Sequence, residues 1–523
     1  MDRRTLLAAS TGIAAGAAWT VGCDSGTGNA APGRGTATSG ASITTRAGKP
    51  AGADWNALGK GLQGRLIRPG DADYGTARQL YNTRFDALRP AAVAYVGNTA
   101  DIAECLAFAR RHGTRVAIRN GGHSYAGWSS GDGRLVIDVS SLKSVRTGSG
   151  SATIGAGAKL IDVYTQLGAH GVTIPAGSCP TVGVSGLTLG GGHGVVSRAY
   201  GLTSDSLTGA RIVTADGKTL DVSKDRESDL FWALRGAGNG NFGVVTELRF
   251  RTHKAAPGVT AYLTWPWSKA AAVLRAWQEW GPAQPDEIWS SLHLSATPGR
   301  TPRISVACFS LGTYGALQNA VDRLADRAGA PATSVSLRRR TYLDAMRMYA
   351  GCSSYSTSQS HLPGKTPGRT PNGALQRETY AARSDFFDRS LSTAGIRALL
   401  DQPERYGRRT SGGGAVSIAL TALGGAVNRV APLATAFVHR RSRFLAQYMA
   451  SWPASGSGGV QTAWLDGAHT AMRRYASGAA YQNYTDAGLK DWRKAYYGDA
   501  AGRLTKLKKQ YDPNRLFDFP QAL

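Results

Sequence analysis

Apolar residues recur with helical spacing in "DIAECLAFARRHG", where Ile102, Cys105, Leu106 and Ala109 fall on one face. The same period runs through "GALQNAVDRLADRAG", and "SDLFWALRG" predicts a shorter helix that starts at a Ser or Asp cap and stops at Gly236. Short β-branched runs bounded by glycine, "RVAIRNGG" and "RLVIDVSSL", predict strands, and "RISVACFSL" predicts another farther on. "RIVTADGKTLDVS" predicts a hairpin that turns at Asp216-Gly217. Helices and short strands therefore alternate over residues 54–255, and residues 256–460 read as a separate α+β domain. Residues 461–523 are rich in Tyr, Trp and Lys, with Asp512-Pro513 marking a turn after a helix. No internal repeat is visible.

Composition changes this picture at two points. The chain has 523 residues and is 42% hydrophobic, enough to bury large cores in ~2–3 domains. Its net charge of +26 raises nucleic acid as a partner, but the basic residues are scattered. The densest runs, Arg338 to Arg340 and Lys506 to Lys509, are short, and no zinc-finger or RNA-recognition spacing accompanies them. A basic, solvated surface is the reading, with no nucleic acid.

The second point is the start of the chain. Arg3-Arg4 precede Leu6-Leu7 and a mild apolar stretch ending near Gly22, shorter than the roughly 18 residues of a membrane span. Residues 1–22 therefore read as a twin-arginine signal for export to the cell surface or medium. "TVGCD" adds a possible lipid anchor at Cys23, and residues 23–53, rich in Gly, Ala, Ser and Thr, read as a flexible tether.

The five cysteines are Cys23, Cys105, Cys179, Cys308 and Cys352. Cys105 belongs to a helix core, and an oxidising compartment would permit, without requiring, a Cys308–Cys352 bridge. No spacing suits zinc, so no metal site is expected. Cys179 has no such role. It lies in "AGSCPTVGVSGLTLGGGHG", residues 176–194, where glycine lets backbone approach something closely. A second glycine-rich turn, "RNGGHSYAGW", residues 119–128, follows a strand and exposes several N–H groups, which suits a phosphate or pyrophosphate. Together the two loops suggest one elongated anionic ligand. Competing motifs fail on context: "GAGNGNFG" follows a helix rather than a strand, "GVSG" is not a hydrolase elbow, and His193 has no partner at i+4.

"RNGGHSYAGW", "AGSCPTVGVSGLTLGGGHG", "YGLTSDSL", "DLFWALRGAGNGNFGVVT", "YQNY" and "YDPNRLFDFPQ" occur in that order. In that order they resemble the berberine-bridge-enzyme-like branch of the vanillyl-alcohol-oxidase flavoproteins, and "ALGGAVNRVAPLATAFVHR" is similar to its bacterial members. The resemblance implies an α+β protein. A two-lobed PCMH-type FAD-binding domain is joined by an α+β substrate domain with an antiparallel sheet, and the C-terminal segment returns to the FAD domain. It also implies FAD held covalently through His123 and Cys179. The backbones of Asn120, Gly121, Gly122, Ser124 and Tyr125 would line the pyrophosphate, with Arg119 also counted among the cofactor-binding residues. Gly183, Gly186, Gly190, Gly191 and Gly194 would pack along the ribityl chain and ring, with Val245 near the adenine half and Asn483 also toward the cofactor.

"YQNY" read as a strand puts Tyr481 and Asn483 on one face and Tyr484 on the other. Tyr481 is then the first candidate base, with Tyr484 in reserve, and its phenol would need a lowered pKa. The implied activity is oxidation of an alcohol or hemiacetal carbon of a sugar, oligosaccharide or secondary metabolite, with O₂ as acceptor. The alternatives are the same flavin site acting as a dehydrogenase or oxidative cyclase, or a non-catalytic surface lipoprotein. Trp265, Trp267 and Trp289 could stack on a sugar, although core packing is the commoner role for such residues.

Overall fold

The computed structural model describes residues 49–523. The expected signal segment, Cys23 and the expected tether up to residue 48 lie outside the described residues. The last tether positions already belong to a helix, Gly52–Gly61, whose Trp55 and Leu58 are buried.

The first sheet contains β1 (Arg65–Ile67), β2 (Ala92–Tyr95), β3 (Val116–Arg119) and β4 (Leu135–Asp138). Its order is β1-β2-β4-β3, with β2, β4 and β3 parallel and β1 antiparallel to β2. β2 and β4 are buried at every residue, which is why they read as continuous apolar runs. The predicted helix is Thr99–His112; Asn98 caps its start, Arg110, Arg111 and His112 occupy its last turn, and Gly113 ends it at φ 61°.

The second sheet contains β5 (Val145–Gly148), β6 (Ser151–Gly155), β8 (Leu207–Val213), β9 (Thr219–Ser223) and β10 (Val244–Arg251). It is antiparallel in the order β5-β6-β10-β8-β9. The β8–β9 hairpin turns where expected: the Thr214 hydroxyl and the Lys218 N–H donate to Asp216, and Gly217 takes φ 87°. A ribbon of β7 (Val172–Thr173) with β11 (His253–Lys254) lies beside it. The helix Ser228–Leu234 departs from expectation at its start. Its cap position is Glu227 at φ 48°, without a side-chain cap bond.

The third sheet contains β12 (Gly258–Trp265), β13 (Ile288–Ala296), β14 (Arg303–Ser310), β15 (Ser334–Arg340), β16 (Tyr380–Phe387), β17 (Ala415–Ala422) and β18 (Phe444–Ser451). Its seven strands are antiparallel in the order β15-β12-β14-β13-β17-β18-β16. One face carries Leu292, Leu294, Val416, Ile418 and Leu420 into a core shared with the helices Ala270–Trp280, Tyr314–Ala328, Thr393–Gly407 and Gly459–Arg473. The opposite face, alternating with it, turns toward the first two sheets. Residues from about 352 to 379 connect strands of this sheet but lie against the first unit. His361 Nε2 is 3.0 Å from Asp162 Oδ1, Arg377 pairs with Asp86, and Glu378 bridges to Asn82. Cys308 and Cys352 are buried free thiols, so no bridge joins them.

The C-terminal segment returns to the first unit as expected. Lys508, on the helix Ala501–Tyr511, has its Nζ 2.6 Å from Asp512 and donates to the carbonyls of Asn241 and Phe517 at 2.8 and 2.7 Å. Both charges are buried, so each depends on the other. Lys508→Met should lower stability by ~3–5 kcal/mol, because Asp512 keeps its charge without its partner. The check is the shift of the urea midpoint; a shift under about 1 kcal/mol would show that the tail is held by other contacts.

Candidate functional site: a cavity between two glycine-rich loops and a sheet

A cavity of ≈ 1730 Å³ separates the first two sheets from the open face of the third. One wall is the loop after β3. Arg119 anchors the strand end, its guanidinium paired with buried Asp138 and donating to the Ala77 carbonyl at 2.7 Å. That side chain is held in a structural ion pair, while its Nη1 is buried and meets no partner among the described residues. Asn120 is also structural. Its amide donates to Ala156 and to Ser185 Oγ, and it accepts from Lys159.

Beyond Asn120 the chain runs against the second glycine-rich loop. A β-carbon on Gly121 would stand 2.5 Å from the Thr181 carbonyl oxygen and 2.6 Å from the Gly183 nitrogen, so the two backbones touch. Gly122 takes φ 70°. Among the described residues, the backbone N–H groups of Gly121, Gly122, His123, Ser124 and Tyr125 meet no acceptor. Five adjacent donors on a cavity wall make an anion nest.

His123 and Cys179 stand on this wall. His123 Nε2 is 2.8 Å from Thr181 Oγ1, and the imidazole stacks on Tyr81 with centroids 4.0 Å apart. Burial, helped by the Lys159 ammonium, lowers it to about 3, so it is neutral at neutral pH. The Cys179 sulfur opens into the cavity, yet the cavity is deep. Burial and the Glu378 carboxyl push its thiol up to about 12.

Gly183, Gly186, Gly194 and Val245 line the cavity, but Gly190 and Gly191 do not. A β-carbon on Gly190 would strike Asn483, and one on Gly191 would strike Phe437, so these two glycines seat the wall from behind. Gly194 packs on the Ala176 carbonyl, closing the ends of the loop on each other.

The predicted strand at "YQNY" is instead a 3₁₀ turn, Gln482–Tyr484, opened by Tyr481. Three residues per turn, not two, decide where these side chains point. Tyr481 is 2% exposed, and its phenol oxygen accepts from Gly192 N–H at 2.9 Å and Asn483 Nδ2 at 2.8 Å. Asn483 also donates to the Leu187 carbonyl and accepts from Asn239. Tyr484 is half-buried, with its oxygen 2.9 Å from His193 Nε2 and its ring stacked on Tyr125. The expected lowering of the phenol is absent. Burial pushes Tyr481 up to about 12 and Tyr484 well above 10, and no cation offsets it.

Several lining residues had no sequence motif to mark them. Tyr81 and Glu378 meet His123 and Cys179 from distant segments, Tyr380 meets Tyr125 edge-on, and Gln447 Nε2 donates to the Tyr125 hydroxyl at 2.8 Å. Only Gln447 left a trace, as an amide in the apolar run "FLAQYMAS". Of the three tryptophans, Trp289 lines the cavity, while Trp265 and Trp267 bond to Ala330 and Glu404 elsewhere.

Comparison with known proteins bears on this site directly. Residues 90–223 match the family described as "FAD binding domain", and residues 480–523 the family "Berberine and berberine like". An "Uncharacterized FAD-linked oxidoreductase YgaK" of Bacillus subtilis is 31% identical over 468 residues, spanning 88% of this chain and 97% of that one. The chain belongs to the berberine-bridge-enzyme-like FAD-linked oxidoreductases. A chitooligosaccharide oxidase of Gibberella zeae is 31% identical over 472 residues, with 86% of this chain and 89% of that one covered. The solved structure of Physcomitrella patens BBE-like 1 superposes with a TM-score of 0.79 at 30% identity, covering 90% of this chain and 98% of that chain.

The cavity of this oxidoreductase fits FAD on its own evidence. The unpaired N–H run suits a pyrophosphate, the wall at Gly186 is open, and the buried His193 Nδ1 has no partner among the described residues. The glycines yield a paired test. Gly194→Ala forces a methyl into the Ala176 backbone and should lower the melting temperature and flavin content together. Gly186→Ala meets nothing within 4 Å and lies within the helix Val184–Leu189, so the melting temperature of the flavin-free protein should not fall while flavin per chain does. Full loading of Gly186→Ala would show that this wall does not face the cofactor.

Proposed function

We propose that the chain is an exported oxidase that holds FAD through two covalent bonds and oxidises a sugar hemiacetal or alcohol carbon, passing the electrons to dioxygen. The observation that carries this reading is one cavity wall bearing both a neutral imidazole, His123, and an open thiol, Cys179, beside five unpaired backbone N–H groups. His123 would bond the 8α carbon of the isoalloxazine and Cys179 its C6 carbon. The backbone of Gly121 to Tyr125 would receive the pyrophosphate, Gly183, Gly186 and Gly194 the ribityl chain and ring, and Val245 the adenine side. FAD, when bound, supplies the hydride acceptor, and dioxygen leaves as hydrogen peroxide.

The chain's own residues do the rest. The open face of the third sheet supplies the substrate floor, with Trp289, Ser291, His293, Ala419, Thr421 and Gln447 lining the cavity. His293 is lowered to about 4 by burial, so this floor is polar but uncharged, which suits a neutral polyhydroxylated substrate. The oligosaccharide-oxidising relative supports the same substrate class. Tyr484, rather than Tyr481, is the base, because the Tyr481 oxygen already accepts two hydrogen bonds within the wall. Arg3-Arg4 support export of the folded, loaded protein.

Acid denaturation tests the two links. Yellow colour should stay with the wild-type chain and with His123→Ala and Cys179→Ala singly, and be lost only in the double variant. Flavin that washes off the wild type would overturn the covalent reading. Oxygen uptake with chitobiose and xylobiose, matched one to one by hydrogen peroxide, tests the activity; dye reduction without oxygen uptake would identify a dehydrogenase instead. Tyr484→Phe should slow flavin reduction ~10²–10⁴-fold, whereas Tyr481→Phe should cost far less.

A further inference from the structure

His193 ends the glycine-rich stretch, and its Nε2 lies 2.9 Å from the Tyr484 oxygen, with the two rings at 82°. The Tyr484 oxygen meets no other partner among the described residues, and His193 Nδ1 is buried and meets none. Two proton arrangements fit this geometry. If Nε2–H donates to the phenol, both the Tyr484 O–H and the Nδ1 lone pair lack partners. If the phenol donates to Nε2, only the Nδ1–H lacks one. Leaving fewer buried polar groups unmet favours the second.

The titratable groups facing the pair are all phenols or a thiol. Tyr481 has its ring 5.4 Å from the imidazole, Tyr125 stacks on Tyr484 at 5.3 Å, and Tyr380 meets Tyr125 edge-on. Burial raises all three phenols, and it raises Cys179, the remaining neighbour of Tyr484, as well. No charged side chain contributes to the His193 shift: burial alone lowers it to about 4. The imidazole is therefore neutral and able to accept at neutral pH. The same burial makes a lone Tyr484 phenolate costly, so Tyr484 without help is a poor base.

We propose that His193 takes the phenolic proton of Tyr484 as Tyr484 takes the hydroxyl proton of the substrate. The relay rests on the oxidase reading above. The substrate O–H breaks as an O–H forms at Tyr484, and the old Tyr484 O–H breaks as an N–H forms at His193 Nε2. The substrate C–H electron pair leaves as hydride for FAD, and the C–O bond becomes C=O. The hydride brings one negative charge into the cavity as the imidazolium gains one positive charge, so the buried site stays neutral. The proton returns from His193 when dioxygen departs as hydrogen peroxide, carrying the hydride's electron pair, its proton and this second one.

The first test needs no turnover. ¹⁵N-histidine spectra of the flavin-loaded protein should show His193 as the Nδ1–H tautomer with Nε2 unprotonated, and Tyr484→Phe should abolish that preference. The second is anaerobic reduction of the cofactor by a reducing sugar, chitobiose or xylobiose, across pH. The wild-type rate should be level from about pH 5.5 to 9, falling in acid as His193 protonates at about 4. His193→Gln keeps an acceptor for the Tyr484 hydrogen bond but cannot take a proton. It should remain yellow, be slowed ~10²-fold at pH 7, and gain rate about tenfold per pH unit, because the phenol must ionise first. An Nε2–H tautomer in the wild type, or a level profile for His193→Gln within threefold of wild type, would overturn the relay. A wild type that no sugar reduces would instead overturn the oxidase reading, with the tautomer still reporting the direction of the hydrogen bond.

Discussion

The site depends on backbone lying against backbone where a β-carbon cannot fit. Gly121 meets Thr181 and Gly183, Gly194 meets Ala176, and Gly157 meets Val139, in each case closely enough that an added methyl would overlap main-chain atoms. The first seats the loop after β3 against the loop that carries Cys179, and the second closes that loop on itself. Beside the first contact, the N–H groups from Gly121 to Tyr125 meet no acceptor among the described residues. Glycine serves here through its missing side chain more than through its φ freedom.

The second governing effect is desolvation, and it acts in one direction. His123, His193 and His293 are lowered, while Tyr125, Tyr380, Tyr481, Tyr484 and Cys179 are raised, so each is held toward its neutral form. The chain's +26 lies mostly outside this cavity, as its scattered basic residues foretell. A cavity of this kind favours proton transfers that are matched by another charge movement over transfers that leave an isolated ion. That constraint links a phenol made more basic, and therefore harder to ionise, with a neutral imidazole beside it.

The walls come from chain segments far apart in sequence. The third sheet divides its labour by strand alternation: Leu292 and Leu294 enter the helix-covered core, while Trp289, Ser291 and His293 face the cavity. The C-terminal segment, held by buried Lys508, brings Phe517 and Phe519 to the other end, where Phe519 lies 5.5 Å from Trp128. The stretch from about 352 to 379 belongs by sequence to the middle of the chain but serves the first unit, and it delivers Glu378 to the neighbourhood of Tyr81 and Cys179.

Local periodicity was enough for the helices Thr99–His112 and Tyr314–Ala328 and for the hairpin at Asp216-Gly217, because caps, turns and amphipathic faces are written within a few residues. The two glycine-rich loops were legible for the same reason, and so were His123 and Cys179 within them. Where a signal spanned too few residues, local rules misled: four residues of "YQNY" fit a strand or a 3₁₀ turn equally, and packing against Ser384, Gly192 and Asn239 decided for the turn. Tertiary structure alone determined that Gly190 and Gly191 sit behind the wall, that Tyr481 is enclosed while Tyr484 meets His193, and that Tyr81, Glu378 and Gln447 reach the cavity. Sequence by itself determined the backbone's permitted conformations and the apolar faces to be buried. Which side chains lost their water, and which phenol remained free to react, depended on contacts between residues hundreds of positions apart, which no local pattern encodes.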